Sequence, residues 1–167
     1  MIFFNPARQG IHMTVEIRKA KVHDADGIRK LINEYAQENR MLFRSLSDIY
    51  ENIRDYHVAL TDDGEIVGSC ALHVFWADLA ELRSLAVRKD HLGERLGRRL
   101  VGHVLDEAPG MGIKRVFILT AIPGYFEKAG FKTVDRSELP QKIWVECVKC
   151  PKFPECDEIA MITELPL

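Results

Sequence analysis

Between Leu79 and Ala108 the chain reads LAELRSLAVRKDHLGERLGRRLVGHVLDEA. An apolar strand pattern carrying one carboxylate, Glu81, passes into a turn with glycines at 93 and 97 and arginines at 95 and 98. The turn opens directly into an amphipathic helix. A helix N-terminus presents unpaired N–H groups and a partial positive charge, so this arrangement is a seat for phosphate. Gly93 and Gly97 permit close backbone approach there. The plainer alternative is a helix end capped by water, with Arg95 and Arg98 as solvated surface. Glu81 also has two readings. A carboxylate in an apolar strand has its pKa pushed upward, toward that of a working general base. The same residue could instead form a same-face ion pair with Arg83, two positions along the strand.

A second cluster lies near the C-terminus, where CVKCPKFPEC holds Cys147, Cys150 and Cys156. The C-x-x-C spacing lets two thiolates share one metal ion, and Pro151 and Pro154 stiffen the segment. Three thiolates fall short of a closed zinc site, so a fourth ligand such as Asp157 or a distant histidine is needed, and an iron–sulfur centre is also open. The alternative is three reduced thiols in a tail that packs on the core. Cys70, in an apolar strand, reads as an inert core thiol. The six histidines show no paired ligand spacing, and His91 reads as a solvated residue ahead of the glycine turn.

These groups must be positioned by one domain. The chain has 167 residues, 47% of them hydrophobic and 29% charged, with a net charge of -2. That composition gives one globular core and no basic field for nucleic acid. No apolar run is long enough to span a bilayer. Residues 1–12 read as an N-terminal extension rather than a signal peptide, and a cytoplasmic setting is the expectation. The domain is placed at 13–167.

Strands are expected at 15–18, 56–61, 65–74, 79–87, 116–119, 131–134 and 158–162. Asp62-Asp63-Gly64 is a hairpin turn between the second and third. Helices are expected after Asp24 as N-cap, with Ile28, Leu31, Ile32 and Tyr35 as the apolar stripe, then from Ser47, over 97–108 and over 122–129. An antiparallel hairpin ahead of a βαβ unit implies a mixed α/β fold, its sheet mostly antiparallel and flanked by helices.

Two segments resemble motifs of the GNAT superfamily of N-acetyltransferases. AELRSLAVRKDHLGERLGRRLV is similar to its acetyl-CoA-binding motif, and ILTAIPGYFEKAGFK to the motif that follows. With IRKAKVHDADGIRKLI they cover most of residues 15–135. Within the superfamily, RSLSDIYENIRDYHVA at 44–59, ILT at 118–120 and LPQKIW resemble the acetyltransferase domain of N-acetylglutamate synthase. That enzyme carries an amino-acid-kinase-like domain ahead of this one, and 167 residues leave no room for it, so a short form is expected. The sequence departs from the usual phosphate loop: Leu92 stands at its basic position and Arg95 at its middle glycine.

The resemblance implies acetyl transfer from acetyl-CoA to an amine. Glu81 is then the general base, acting through one water, and the Leu85 N–H is the oxyanion donor. Contact with the coenzyme is implied for Leu85, Ala86 and Val87, for the loop and helix start at Leu92, Gly93, Glu94, Arg95, Leu96, Gly97 and Arg98, and for Tyr125 and Phe126. The usual proton-donating tyrosine position holds Phe126. Tyr125, one place earlier, points about 100° away around a helix. On the acceptor side, Arg44 would pair a substrate carboxylate, helped by Ser45, with Lys149 as a second basic contact.

The reading is a cytoplasmic N-acetyltransferase for the α-amine of a small amino acid, glutamate first and glutamine second, at the entry of arginine biosynthesis. No nucleic-acid or membrane partner is expected, and a homodimer is consistent with the superfamily. A protein amine or a polyamine as acceptor, and a non-catalytic acyl-CoA sensor, are the rivals.

Overall fold

The computed structural model describes residues 14–166, and the expected N-terminal extension, 1–12, lies outside them. In chain order the elements are β1 Glu16–Lys19, α1 Ala25–Gln37, α2 Leu46–Glu51, β2 Tyr56–Leu60, β3 Ile66–Trp76, β4 Leu79–Val87, α3 Leu96–Glu107, β5 Arg115–Thr120, α4 Pro123–Glu127, β6 Lys132–Thr133, α5 Lys142–Lys149 and β7 Ile159–Glu164. The strands form one sheet in the order β1-β2-β3-β4-β5-β7-β6. Every neighbouring pair is antiparallel except β4 with β5. The expected mixed, mostly antiparallel sheet with helices on its faces is what forms.

Period-2 alternation in the strands and 3.6-residue stripes on the helices divide the core between the two faces. On one face, α3 lays Leu96, Leu100, Val101 and Val104 against Val67, Leu72, Leu82, Val116 and Met161. On the other, the expected stripe of α1 is buried together with Ile49 of α2 against Tyr56, Val58 and Ala71. A third cluster seats Leu139 and Ile143 on Phe75, Leu79 and Phe117. Its Phe75 and Phe117 rings meet edge to face at 5.5 Å, a contact worth about 1 kcal/mol beyond the area it buries. Among the described residues no helix is long and apolar enough to cross a membrane.

Two local expectations change. The segment beginning LPQKIW is not an irregular tail, because residues 142–149 form α5. Ile143, 3% exposed, anchors that helix in the third cluster. Asp24 stands at the N-cap of α1 but makes no side-chain cap there. Its carboxylate accepts from Lys21 N–H at 2.7 Å and pairs with Arg18 at 2.7 Å, which ties β1 to the turn before α1. Burial works against the Asp24 charge, yet those partners hold its pKa below the ordinary carboxylate value.

Candidate active site

The site is built where β4 leaves its neighbours. On the β3 side, Ser69 pairs with Ala86 and Ala71 with Arg83, so Ser84 and Leu85 together oppose Cys70 alone. This is a β-bulge, and it removes backbone groups from the ladder. Ser84 adopts φ 56 there, a left-handed conformation that costs a non-glycine residue about 1–2 kcal/mol. Two side-chain bonds hold it. Its carbonyl accepts from the Ser69 hydroxyl at 3.2 Å, and its hydroxyl accepts from the Tyr56 hydroxyl at 3.4 Å. The Leu85 N–H, the expected oxyanion donor, belongs to this bulge.

On the other side, β4 pairs with β5 only at Leu79–Arg115, Ala80–Val116 and Glu81–Phe117. Beyond Glu81 the strands part, while β5 stays with β7 as far as Thr120–Ile159. A wedge opens between 82–87 and 118–120. Its walls are strand edges, which offer N–H and C=O groups to an extended amide-bearing chain.

The N-terminus of α3 follows on from β4. Gly93 has φ 91, and Arg95, the N-cap residue, has φ 57. The sequence therefore departs from glycine at a position that keeps a glycine-like backbone. The first N–H groups of α3 have no partner within the helix, as at any helix start. Gly97 is closed in by Tyr125, for a Cβ at position 97 would lie 2.5 Å from the Tyr125 hydroxyl. Burial raises the Tyr125 pKa, with Arg98 opposing. Leu92, Glu94, Arg95 and Arg98 are exposed around this turn. His91, expected to be solvated, is instead buried, with its Nδ1 3.0 Å from the Glu94 carboxylate. Two residues expected at the coenzyme carry buried side chains. Phe126 is 2% exposed and packs edge to face on Phe131 at 5.8 Å, and Leu96 is likewise a core residue. The Phe126 ring is therefore core, the Leu96 side chain leaves only its backbone for a ligand, and Tyr125 is the aromatic group beside the α3 start. Ala86 and Val87 are also mostly buried, and the Val87 carbonyl accepts from the Tyr35 hydroxyl at 2.5 Å.

At the apex of the wedge Glu81 is 17% exposed, with Arg83 Nη1 3.9 Å from its carboxylate. Glu81 is thus mostly buried and has an arginine neighbour. Burial dominates and raises its pKa. Arg83 lowers it, Glu146 of α5 raises it, and His73 and Arg44 lower it. Arg44 is fixed at its backbone by the buried Asn33 side chain, which accepts from Arg44 N–H at 2.9 Å and donates to its carbonyl at 3.0 Å. Its guanidinium reaches Asp48 at 3.4 Å. Ser45 acts as the N-cap of α2, its hydroxyl accepting from Asp48 N–H at 3.0 Å. This hydroxyl is therefore already occupied as an acceptor. Lys149 ends α5 with an exposed side chain.

The metal expectation is not met: among the described residues no group of three or more histidine, cysteine or acidic side chains is arranged to hold an ion. Cys147 packs on the third core cluster, Cys150 caps α5, and Cys156 lies in the following loop with its sulfur 4.0 Å from Glu158. Cys70 is buried, and burial raises its pKa, as expected of an inert thiol.

Several residues that shape this site carry no signal in local pattern. Asp55, from the turn before β2, lies 2.6 Å from His73 Nδ1 and 3.9 Å from Arg83 Nη2. Arg83 also donates to Asn52 at 3.4 Å, while its buried Nε has no partner among the described residues. Asn33 was legible only as a polar residue beside the stripe of α1.

Residues 25–131 match the Acetyltransferase (GNAT) family. An uncharacterized N-acetyltransferase of Chlorobaculum tepidum is 40% identical over 149 residues, covering 89% of this chain and 96% of that protein. An amino-acid acetyltransferase of Mycobacterium tuberculosis is 32% identical, covering 78% of this chain and 75% of its own length. Among solved structures, N-acetylglutamate synthase from Neisseria gonorrhoeae, complexed with coenzyme A and N-acetyl-glutamate, superposes with a TM-score of 0.84 at 28% identity. That match covers 92% of this chain but 36% of the synthase chain.

Proposed function

This chain belongs to the Acetyltransferase (GNAT) family, and from that premise we propose that it acetylates the α-amine of L-glutamate, with L-glutamine as a secondary acceptor. The observation that carries the reading is Glu81 at the apex of the β4–β5 wedge, with Arg44 held at the start of α2 by the Asn33 side chain. One group is suited to a carboxylate and the other to an ammonium proton, which is what an amino acid presents. The likeness to a synthase solved with N-acetyl-glutamate supports the same acceptor. Arginine biosynthesis and a cytoplasmic setting follow as part of this proposal.

The residues present fit a coenzyme. The positive φ angles at Gly93 and Arg95 and the free N–H groups at the start of α3 suit a diphosphate. The wedge suits an amide-bearing arm. Bound there, acetyl-CoA supplies the thioester. Arg44 holds the acceptor carboxylate and aims its amine. Glu81, through one water, takes the ammonium proton, and its raised pKa brings it nearer to that task. The Leu85 N–H in the bulge donates to the carbonyl oxygen as negative charge develops. Holding the two reactants side by side supplies much of the rate.

The test is thiol release from acetyl-CoA with glutamate, glutamine, a polyamine and a peptide amine offered in parallel. Glutamate should give the highest kcat/KM. Arg44→Gln should raise the glutamate KM by about tenfold or more while leaving acetyl-CoA affinity unchanged. Turnover confined to the polyamine or the peptide would overturn the acceptor assignment, and coenzyme binding without thiol release would turn the reading toward a sensor.

A further inference from the structure

Glu81 must lose each proton it accepts, and it is mostly buried beneath the site where both substrates bind. The antiparallel register sets His73 of β3 directly opposite Glu81 of β4, a relation that puts side chains on one face with Cβ atoms about 5 Å apart. The His73 ring is held from the far side, with Nδ1 2.6 Å from the Asp55 carboxylate. A carboxylate only accepts, so Nδ1 carries the hydrogen, and in the neutral form of the ring Nε2 is left with its lone pair. Side-chain exposures of 26% for His73 and 23% for Asp55 bring the pair to solvent. Asp55 also lines a cavity of about 400 Å³ with Lys19, Arg54, Leu72 and Glu107. Glu107 is the last residue of α3, whose first turn is the phosphate seat. Twelve residues at 1.5 Å rise separate those ends by about 18 Å. The Asp55 side of the pair therefore opens on a cavity at the end of α3 opposite the phosphate seat.

We propose that Asp55 and His73 form a proton relay that clears Glu81 on each turnover, on a route that does not cross the bound coenzyme. The inference rests on the reading of Glu81 as base. An N–H bond of the acceptor ammonium breaks and an O–H bond forms on Glu81. That O–H then breaks as its proton passes to a bridging water, which gives one of its own to His73 as Nε2–H forms. Asp55 stabilises the resulting imidazolium, which gives its proton to water and returns to the neutral ring. The charged groups facing His73 are Asp55 ahead of β2 and Glu81 and Arg83 on β4. Arg83, 3.9 Å from each carboxylate, keeps the two apart in charge balance. Neither His73 nor Asp55 touches the reacting atoms in this scheme, since both act through Glu81.

The experiment measures thiol release by His73→Ala and Asp55→Asn across a series of free imidazole concentrations. In dilute non-imidazole buffer kcat of His73→Ala should fall by about tenfold or more. It should recover in proportion to the free-base imidazole added, with acetyl-CoA affinity and melting temperature unchanged. Asp55→Asn should show a smaller loss with the same rescue. A His73→Ala rate equal to the parent's, or a loss in the folded variant that imidazole does not restore, would overturn the relay while leaving the base in place. Should His73→Ala not fold, the rescue of Asp55→Asn decides in the same way. A parent protein that releases no thiol with any amino acid would overturn the relay and the acetylation reading together.

Discussion

Glu81 and Phe117 are the last residues that β4 and β5 share in register, and the wedge begins at that pair. Phe117 is fully buried and locks the apex from one side, so Glu81 stands at the point where the sheet opens. Glu81→Gln should therefore lower turnover by about a hundredfold with no change in acetyl-CoA affinity. The same variant tests the buried charge. Burial raises the Glu81 pKa in the folded state, so its contribution to stability is complete below the ordinary carboxyl value and is lost as pH rises through the elevated one. Melting curves at pH 8 should show Glu81→Gln at or above the parent, and the gap should close near pH 4. A variant that melts well below the parent at pH 8 would show that Glu81 serves chiefly as the partner of Arg83.

Gly93 carries its left-handed backbone without strain, and Arg95 carries one with it. Gly93→Val should force the loop into another conformation, and restoring the loop on binding should weaken acetyl-CoA by about tenfold. Arg95→Gly keeps the required backbone and should retain affinity to within about threefold. Calorimetric titration of both variants measures this, and a collapse of affinity in Arg95→Gly would move the grip from backbone amides to the guanidinium.

Gly97 and Tyr125 are too close for a methyl group between them. Gly97→Ala should push the Tyr125 ring away from the start of α3 and weaken coenzyme binding several-fold. Tyr125→Phe removes the clashing hydroxyl and should recover most of that loss in the double variant, a coupling that a thermodynamic cycle reads directly.

His57 is buried on β2, and its Nδ1 has no hydrogen-bond partner among the described residues. Burial, with Lys19 adding to it and Glu107 opposing, lowers its pKa from 6.5 to about 4. The folded state thus prefers the neutral ring, so this stability is complete above about pH 6.5 and is lost as pH falls toward 4. Urea midpoints should drop between pH 7 and pH 4.5, and His57→Leu should flatten that drop.

Much of this architecture is written in local pattern. The apolar run of β4 gave its boundaries at 79 and 87, and the stripe of α1 named four residues that are all buried. The glycine turn ahead of α3 marked a place of close backbone approach, and Gly93 there has φ 91. What escaped was set by distance or by phase. The Asp55–His73 pair is 18 residues apart and meets only because β2 and β3 fold back on each other. Ser84 carries no chemical signal of its positive φ, which Ser69 and Tyr56 impose from neighbouring strands. The five-residue helix α4 is too short for its phase to be read, so the core residue Phe126 and its exposed neighbour Tyr125 could not be told apart. The short apolar pattern of α5 spans eight residues and runs straight into the cysteine- and proline-bearing stretch that follows it.

In the proposed function the backbone from Gly93 to Gly97 holds the diphosphate of a coenzyme and so aims its thioester at Glu81. The decisive measurement is calorimetric titration of the intact chain with acetyl-CoA. Saturation at one coenzyme per chain is expected, weakened in Gly93→Val and unaltered in Glu81→Gln. Absence of saturable heat, or equal affinity in the parent and Gly93→Val, would contradict it.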